Sequence, residues 1–326
     1  MKIGRVINGT TKWAGLGLLA LSLAACAELQ TPVQPVLKPL ARPNIPPKPT
    51  AKPPKVAKPT SEASAQLRSY LNQVQGAQLS QGLLRRDGGG SDTPFTNTML
   101  ARNFEQIAFF NEYNSTFSGR GGPSPLRRWA APVRMDVIFG DAVPPSQRKS
   151  DTASVRSYAA RLGRVTNHPV NMNKQANFIV VIAGEDDRGE ALSQAAARIS
   201  GISASSLAPL NNLRSDTYCV VAAYAAGSGA NTYTAALAVI RAENPSLLRL
   251  SCIHEELAQG LGLANDSPAA RPSIFNDDDE FALLTRHDEL LLQMLYDPRL
   301  KVGMTADQAR PTVQKIAAEL AGGGPV

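Results

Sequence analysis

Histidine, cysteine and tryptophan are scarce: three, three and two among 326 residues. Clustered imidazoles or thiolates are therefore excluded as a metal centre, and there is no Cys-x-x-Cys pair for a zinc ribbon or a redox couple. There is no G-x-S-x-G nucleophile elbow and no dinucleotide fingerprint preceded by a strand. "SGRGGPSP" at 118–125 lacks the Lys-Ser or Lys-Thr of a phosphate cradle and reads as a loop. No apolar run reaches the roughly 20 residues that cross a bilayer. No internal repeat is visible, and residues 31–60 contain no acid.

What is present begins with Lys2, Arg5 and Lys12 ahead of the short apolar run "AGLGLLALSLAAC". Leu23-Ala24-Ala25-Cys26 resembles the lipobox of bacterial lipoproteins, which implies cleavage after residue 25 and a lipidated Cys26. The acyl chains of such an anchor, at about 0.8 kcal/mol per buried methylene, hold a protein permanently on a membrane. Ala27 in place of Asp implies, in a double-membraned bacterium, the outer membrane facing the periplasm. Residues 31–60 carry ten prolines and six Lys or Arg without apolar periodicity, and read as a tether. Polyproline geometry gives it a reach of up to roughly 90 Å.

The formal charge of +7 sits outside the folded part. The leader carries three positive charges, Glu28 one negative and the tether six positive, which leaves −1 for residues 61–326. A pI of 9.4 would otherwise suggest nucleic acid as a partner. With the excess confined to leader and tether, no nucleic-acid surface is expected, and anionic lipid or cell-wall polymer suits the basic arm better.

The remaining residues divide into a helix at 61–90, a domain at 91–310 and a C-terminal helix and tail at 311–326. Thr60 can cap a helix from 61 to about 84 carrying Leu67, Leu71 and Val74 on one face, ended by "RRDGGGSD". A second helix is predicted at 99–113, its aromatics Phe104, Phe109, Phe110 and Tyr113 facing the core. Strands at 133–139, 177–183, 218–224 and 232–241 alternate with helices near 151–163 and 188–199, which predicts an α/β (α+β) fold with a mixed sheet. "AAGSGAN" joins the last two strands as a hairpin. With Cys26 taken by lipid, Cys219 and Cys252 are left to pair in an oxidising compartment, a bridge worth roughly 3 to 4 kcal/mol. The alternative is two buried thiols.

The chemistry-bearing stretch is "SCIHEELAQGLGLAND" at 251–266. A zincin helix places histidines at i and i+4 with a glutamate after the first. Read from His254 the pattern fails, because position 258 is alanine. Shifted by one residue, "EELAQGLGLAND" resembles the metzincin pattern H-E-x-x-H-x-x-G-x-x-H in spacing. Glu255 takes the first ligand place, Glu256 that of the general base, Gln259 the second ligand, Gly262 the turn and Asn265 the third ligand, with Asp266 beside it. Ile253, Leu257 and Leu261 fall on a different side of the helix from Glu255 and Gln259, so one set is core and the other faces a cleft. Gly262 can take a positive φ and turn the chain back. "PSIFND" stands where metzincins have their methionine turn, with Phe275 in the methionine's place. Thr285 caps a last helix that buries Leu291, Leu295 and Tyr296.

The combination from "EELAQGLGLANDS" through "RPSIFNDDDEFALLTRHDELLLQMLYDPRLKVGM" resembles a bacterial lipoprotein family, the domain of unknown function 2927, over roughly 95–305. The resemblance implies a metzincin-like zincin fold in which acids and amides replace the histidines, and it brings no activity or substrate.

One carboxylate and two amides make a poor zinc set, so no metal and no cofactor is expected. Glu256 adds an acid that makes at most a weak calcium site. The histidines have plain readings: His168 precedes a proline in a loop, His254 lies about 100° round the helix from Glu255, and His287 sits in the first turn of a solvated helix. A composite site of His287 with the "DDDE" run at 277–280 competes with reading that run as a solvated loop. The resulting expectation is a membrane-tethered, non-catalytic zincin-like protein that binds a peptide, protein or glycan in the envelope. The alternatives are a metallopeptidase with Glu256 as general base and a structural link between outer membrane and cell wall.

Overall fold

The computed structural model describes residues 60–113, 121–200, 202–225, 231–276 and 278–322, so the leader, Cys26 and the tether lie outside the described residues. Six strands form one sheet: β1 (Arg128–Trp129), β2 (Val133–Phe139), β3 (Val170–Met172), β4 (Phe178–Ala183), β5 (Cys219–Ala225) and β6 (Thr232–Arg241). The order is β1-β6-β4-β2-β3, with β5 also on β6. Every pairing is parallel except that of β5 with β6. The fold is thus mixed α/β with a mostly parallel sheet, as the alternation of elements predicts. The hairpin connection between β5 and β6 falls on residues outside the described set.

Eight helices accompany the sheet among the described residues: α1 (Glu62–Ser80), α2 (Asn97–Ala108), α3 (Pro145–Thr166), α4 (Arg188–Ala196), α5 (Ala204–Asn211), α6 (Ser246–Gln259), α7 (Arg286–Leu295) and α8 (Ala306–Ala321). The strand "FIVVIA" is apolar throughout because both its faces are covered, the usual pattern of a parallel strand. Phe178, Val180 and Ile182 join the main core with Leu162 of α3, Leu257 of α6 and Leu291 of α7. Ile179, Val181 and Ala183 meet Ala191, Leu192 and Ala195 of α4 on the other face. Each fully buried Leu, Ile or Phe of these layers contributes about 1.5–3 kcal/mol of transfer free energy.

Several boundaries differ from the sequence expectation. Ser61, not Thr60, caps α1, because its side chain accepts from the Ser64 amide. α1 ends at Ser80 instead of near 84, and Leu84 follows with φ of 57°. α3 begins at Pro145, six residues before the apolar periodicity starts, since a proline in the first turn has no needed N–H to lose. α8 begins at Ala306, where Thr305 and Gln308 form a reciprocal capping box, and Pro311 lies inside it. β1, β3 and α5 carry no periodic signal long enough to read. α1 is held by a hydrogen bond from Ser64 Oγ to buried Glu243 (2.6 Å) and one from the Leu248 amide to Gln75 (3.1 Å).

Candidate functional site

α6 is fixed on all sides before any chemistry is considered. Arg249 pairs with Asp151 of α3 at 2.8 Å in a buried contact, the Tyr158 hydroxyl donates to the His254 carbonyl at 2.8 Å, and Trp129 Nε1 donates to the Gly260 carbonyl at 2.8 Å. Cys252 is disulfide-bonded to Cys219, Cα to Cα 5.9 Å, which ties α6 to β5. Ile253, Leu257 and Leu261 are buried in the main core, as the helical spacing requires. Beyond the helix Gly262 has φ of 130°, and a Cβ there would collide with the Arg127 carbonyl oxygen.

The opposite face of α6 brings acids together. Gln259 Nε2 donates to Asp266 Oδ1 (3.1 Å) and approaches Glu112 Oε2 (3.4 Å). Glu112 arrives from the segment after α2, whose amide at Glu112 donates to the Ala264 carbonyl at 2.9 Å. Glu256 is 3% exposed, and its Oε2 has no hydrogen-bond partner. Burial, then Glu112 and Asp266, push the Glu256 carboxyl well above the ordinary carboxylate range. Burial, then Asp266, Glu256 and Glu112, do the same to Glu255.

Oxygens of Glu255 and Glu256 and the Cys219 sulfur lie within 4.8 Å of one another. That sulfur is committed to the disulfide and carries no thiolate, so it is not a ligand. Asn265 does not join the group: its Nδ2 donates to the carbonyls of Gln106 (2.9 Å) and Asp266 (2.8 Å) and fixes the loop. Asp266, one position on, is the side chain that meets Gln259. Glu112 was not legible in the sequence, since no motif surrounds it and some 140 residues separate it from α6.

The remaining candidates have structural roles. His254 is buried, stacked on Tyr158 with ring centroids 4.0 Å apart, and its Nδ1 accepts from the Leu284 amide at 3.0 Å. Burial and then Arg161 lower it to a pKa of about 3, so it is neutral. His287 is fully buried, not solvated: it contacts Asn103 at 3.1 Å and Phe95 edge-on, because α7 is packed on α2 instead of facing water. His168 touches the Ala131 carbonyl at 3.0 Å. Of the acid run, Glu280 bridges Arg85 and Arg271, and Asp279 accepts from Gln78 at 2.6 Å. These contacts lock a loop instead of forming a composite site with His287. Phe275 is fully buried in the main core, and its carbonyl accepts from the Ser267 amide at 2.8 Å.

A cleft of about 420 Å³ opens beside the acid group, lined by Glu112, Tyr113, Arg127, Gln259 and residues 221–224 of β5. Tyr113, expected in the core, is instead 38% exposed and lines this cleft, because α2 stops at Ala108 and the chain has already left the helix. No further strand pairs with β5 among the described residues, so its outer edge borders the cleft. Arg127 Nε and the Tyr224 hydroxyl are buried there without hydrogen-bond partners.

The fold and this cleft define a mixed α/β protein with an acidic pocket between an antiparallel edge strand and a central helix. The chain belongs to the family described as protein of unknown function DUF2927, which matches residues 97–315 and so includes every residue of the pocket. No curated protein and no solved structure matches it significantly.

Proposed function

We propose that the protein is a lipid-anchored cell-envelope protein whose zincin-like cleft binds an extended peptide segment of a periplasmic partner instead of cleaving it. The observation that carries this reading is the outer edge of β5, which lines the cleft with no partner strand among the described residues. Unpaired backbone groups on a sheet edge accept an added strand, while side pockets supply specificity. Arg127 and Tyr224 offer donors to such a segment. The Cys219–Cys252 bridge suits an oxidising compartment, and the lipobox at Cys26 supplies the anchor. A glycan would use the same donors but not the strand edge. In the metallopeptidase reading the unpartnered oxygen of Glu256 is the general base.

The test is a photo-crosslinking residue at Tyr224 in the living cell envelope. The peptide reading expects one discrete adduct that disappears with Arg127→Ala while the fold, followed by circular dichroism, persists. Adducts unaffected by Arg127→Ala would sink it. Zinc-dependent peptide cleavage abolished by Glu256→Gln would replace it with the peptidase reading.

A further inference from the structure

A second cavity, of about 790 Å³, opens at the amino ends of β2, β4 and β6. Arg134, Lys174 and Arg198 line it, and among the described residues no acid does. One carboxylate serves two of these cations: Asp136, 5% exposed, accepts from Lys174 Nζ at 3.1 Å and from Arg198 Nη2 at 2.7 Å. Burial opposes the charged form of Asp136, but Arg198 and then Lys174 outweigh it and hold the carboxyl below the usual carboxylate range. Three cations against one anion leave a local charge of +2, in a stretch (residues 61–326) whose net charge is −1. The frame around them is fixed. The Arg134 amide donates to Asn177 Oδ1 at 2.7 Å, Asn177 Nδ2 donates to the Pro132 carbonyl at 3.0 Å, and the Asn173 amide donates to the Met135 carbonyl at 2.8 Å, which pins the loop at 173–177 to β2. Arg134 Nε donates to the Gln175 carbonyl at 2.7 Å, while its two Nη groups have no hydrogen bond among the described residues.

We propose that this cavity binds the phosphoryl group of a phosphorylated sugar. A phosphomonoester carries about −1.5 to −2 charge at neutral pH, which matches the local excess, whereas a carboxylate supplies one charge only. A guanidinium fork fits two phosphate oxygens at once, and Arg134 has both Nη groups open for them. Lys174 and Arg198 add positive charge on the same wall, positioned by Asp136. The volume falls within the roughly 300–1,000 Å³ of sites for small organic ligands and exceeds what a bare phosphate fills. Gln175, Ser200 and Thr234 bring amide and hydroxyl groups to meet the hydroxyls of a sugar. Tyr224, its hydroxyl buried without a partner, borders both this cavity and the peptide cleft and can serve either. No other lining residue is shared, so this inference does not require the peptide reading.

The full chain in detergent is titrated by calorimetry with glucose 6-phosphate, inorganic phosphate, glucose and glycerophosphoglycerol, the headgroup of an anionic phospholipid. One glucose 6-phosphate per chain is expected, with a Kd of about 1 mM or tighter, weaker binding of inorganic phosphate and of the singly charged headgroup, and no heat from glucose. The basic residues 31–60 also attract anions, so the change made by a cavity variant is the quantity read. Arg134→Gln should weaken glucose 6-phosphate at least about tenfold, the loss expected of a charged hydrogen-bond partner. Arg134→Lys should recover part of that loss, since it restores the charge without the fork. Lys174→Gln supplies the second check and should also weaken binding: its side chain is 87% exposed, and its removal leaves Asp136 paired with Arg198. Thermal unfolding of each variant separates lost binding from lost folding. The proposal is overturned by absence of heat at about 10 mM glucose 6-phosphate, by an affinity unchanged in both Arg134→Gln and Lys174→Gln, or by glucose or the headgroup binding as tightly as glucose 6-phosphate. Phosphate binding that fails while the Tyr224 adduct persists removes this site alone, and the converse removes the peptide reading alone.

Discussion

His254 shows burial deciding the chemistry of a side chain that its motif sets beside two acids. Its ring is packed on Tyr158, its Nδ1 receives the Leu284 amide, and Arg161 adds positive potential, so the neutral form is favoured down to a pKa of about 3 from an ordinary 6.5. With the folded pKa depressed, the unfolded chain binds the proton first on acidification. Stability is therefore intact above about 6.5 and declines towards 3, by about 1.4 kcal/mol per pH unit inside that window. His254→Asn keeps an acceptor near the Nδ1 position but cannot be protonated. The stability gap between the native protein and this variant should shrink by that slope as pH falls from 6.5, measured by urea unfolding at several pH values. A gap independent of pH would show that the imidazole is not held neutral. At Gly262 the constraint is backbone geometry: φ of 130° and the adjacent Arg127 carbonyl leave no place for a methyl group. Gly262→Ala should cost about 2–4 kcal/mol, from the unfavourable φ and the forced shift together, read as a lower urea midpoint with an unchanged slope.

At the scale of elements, the placing of α6 depends on a buried ion pair and a disulfide as well as on its apolar stripe. Burial raises the pKa of Asp151, and Arg249 acts in the opposite direction. Such a pair is costly to halve and much cheaper to replace whole. Asp151→Ala should therefore lose about 3–5 kcal/mol, and adding Arg249→Met should restore part of it, a coupling seen in a double-mutant cycle of urea midpoints. Equal and additive losses would show that the two side chains do not act together. The long strands and α6 were legible because their apolar residues recur at the period of the element. β1, β3 and α5 were not, since two, three and eight residues carry too little pattern. The solvated reading of the helix at 286–295 failed because Arg286, His287, Asp288 and Glu289 look like a surface turn. In the structure Asp288 is buried as the partner of Thr285, Ser273 and the Ile274 amide, which close the first turn against the preceding loop.

For the whole molecule, the proposed anchor at Cys26 predicts that location can be changed without changing the fold. Cys26→Ser should abolish incorporation of labelled palmitate and move the protein out of the membrane fraction, while disulfide formation and thermal unfolding of the folded part stay unchanged. Palmitate retained in Cys26→Ser would remove the anchor from the account.

Local pattern by itself determined the alternation that makes the sheet, the amphipathic α6 and the glycine that ends its turn, because each depends on residues within one or two turns of each other. Only the tertiary structure decided that Glu112 and Asp266 meet Gln259, that Asn265 turns to the Gln106 carbonyl and that His287 is enclosed by Asn103 and Phe95. The physical reason is that electrostatic neighbours and desolvation are properties of distance in space, and residues 112 and 259 become neighbours only when the chain from α2 lies against the turn after α6.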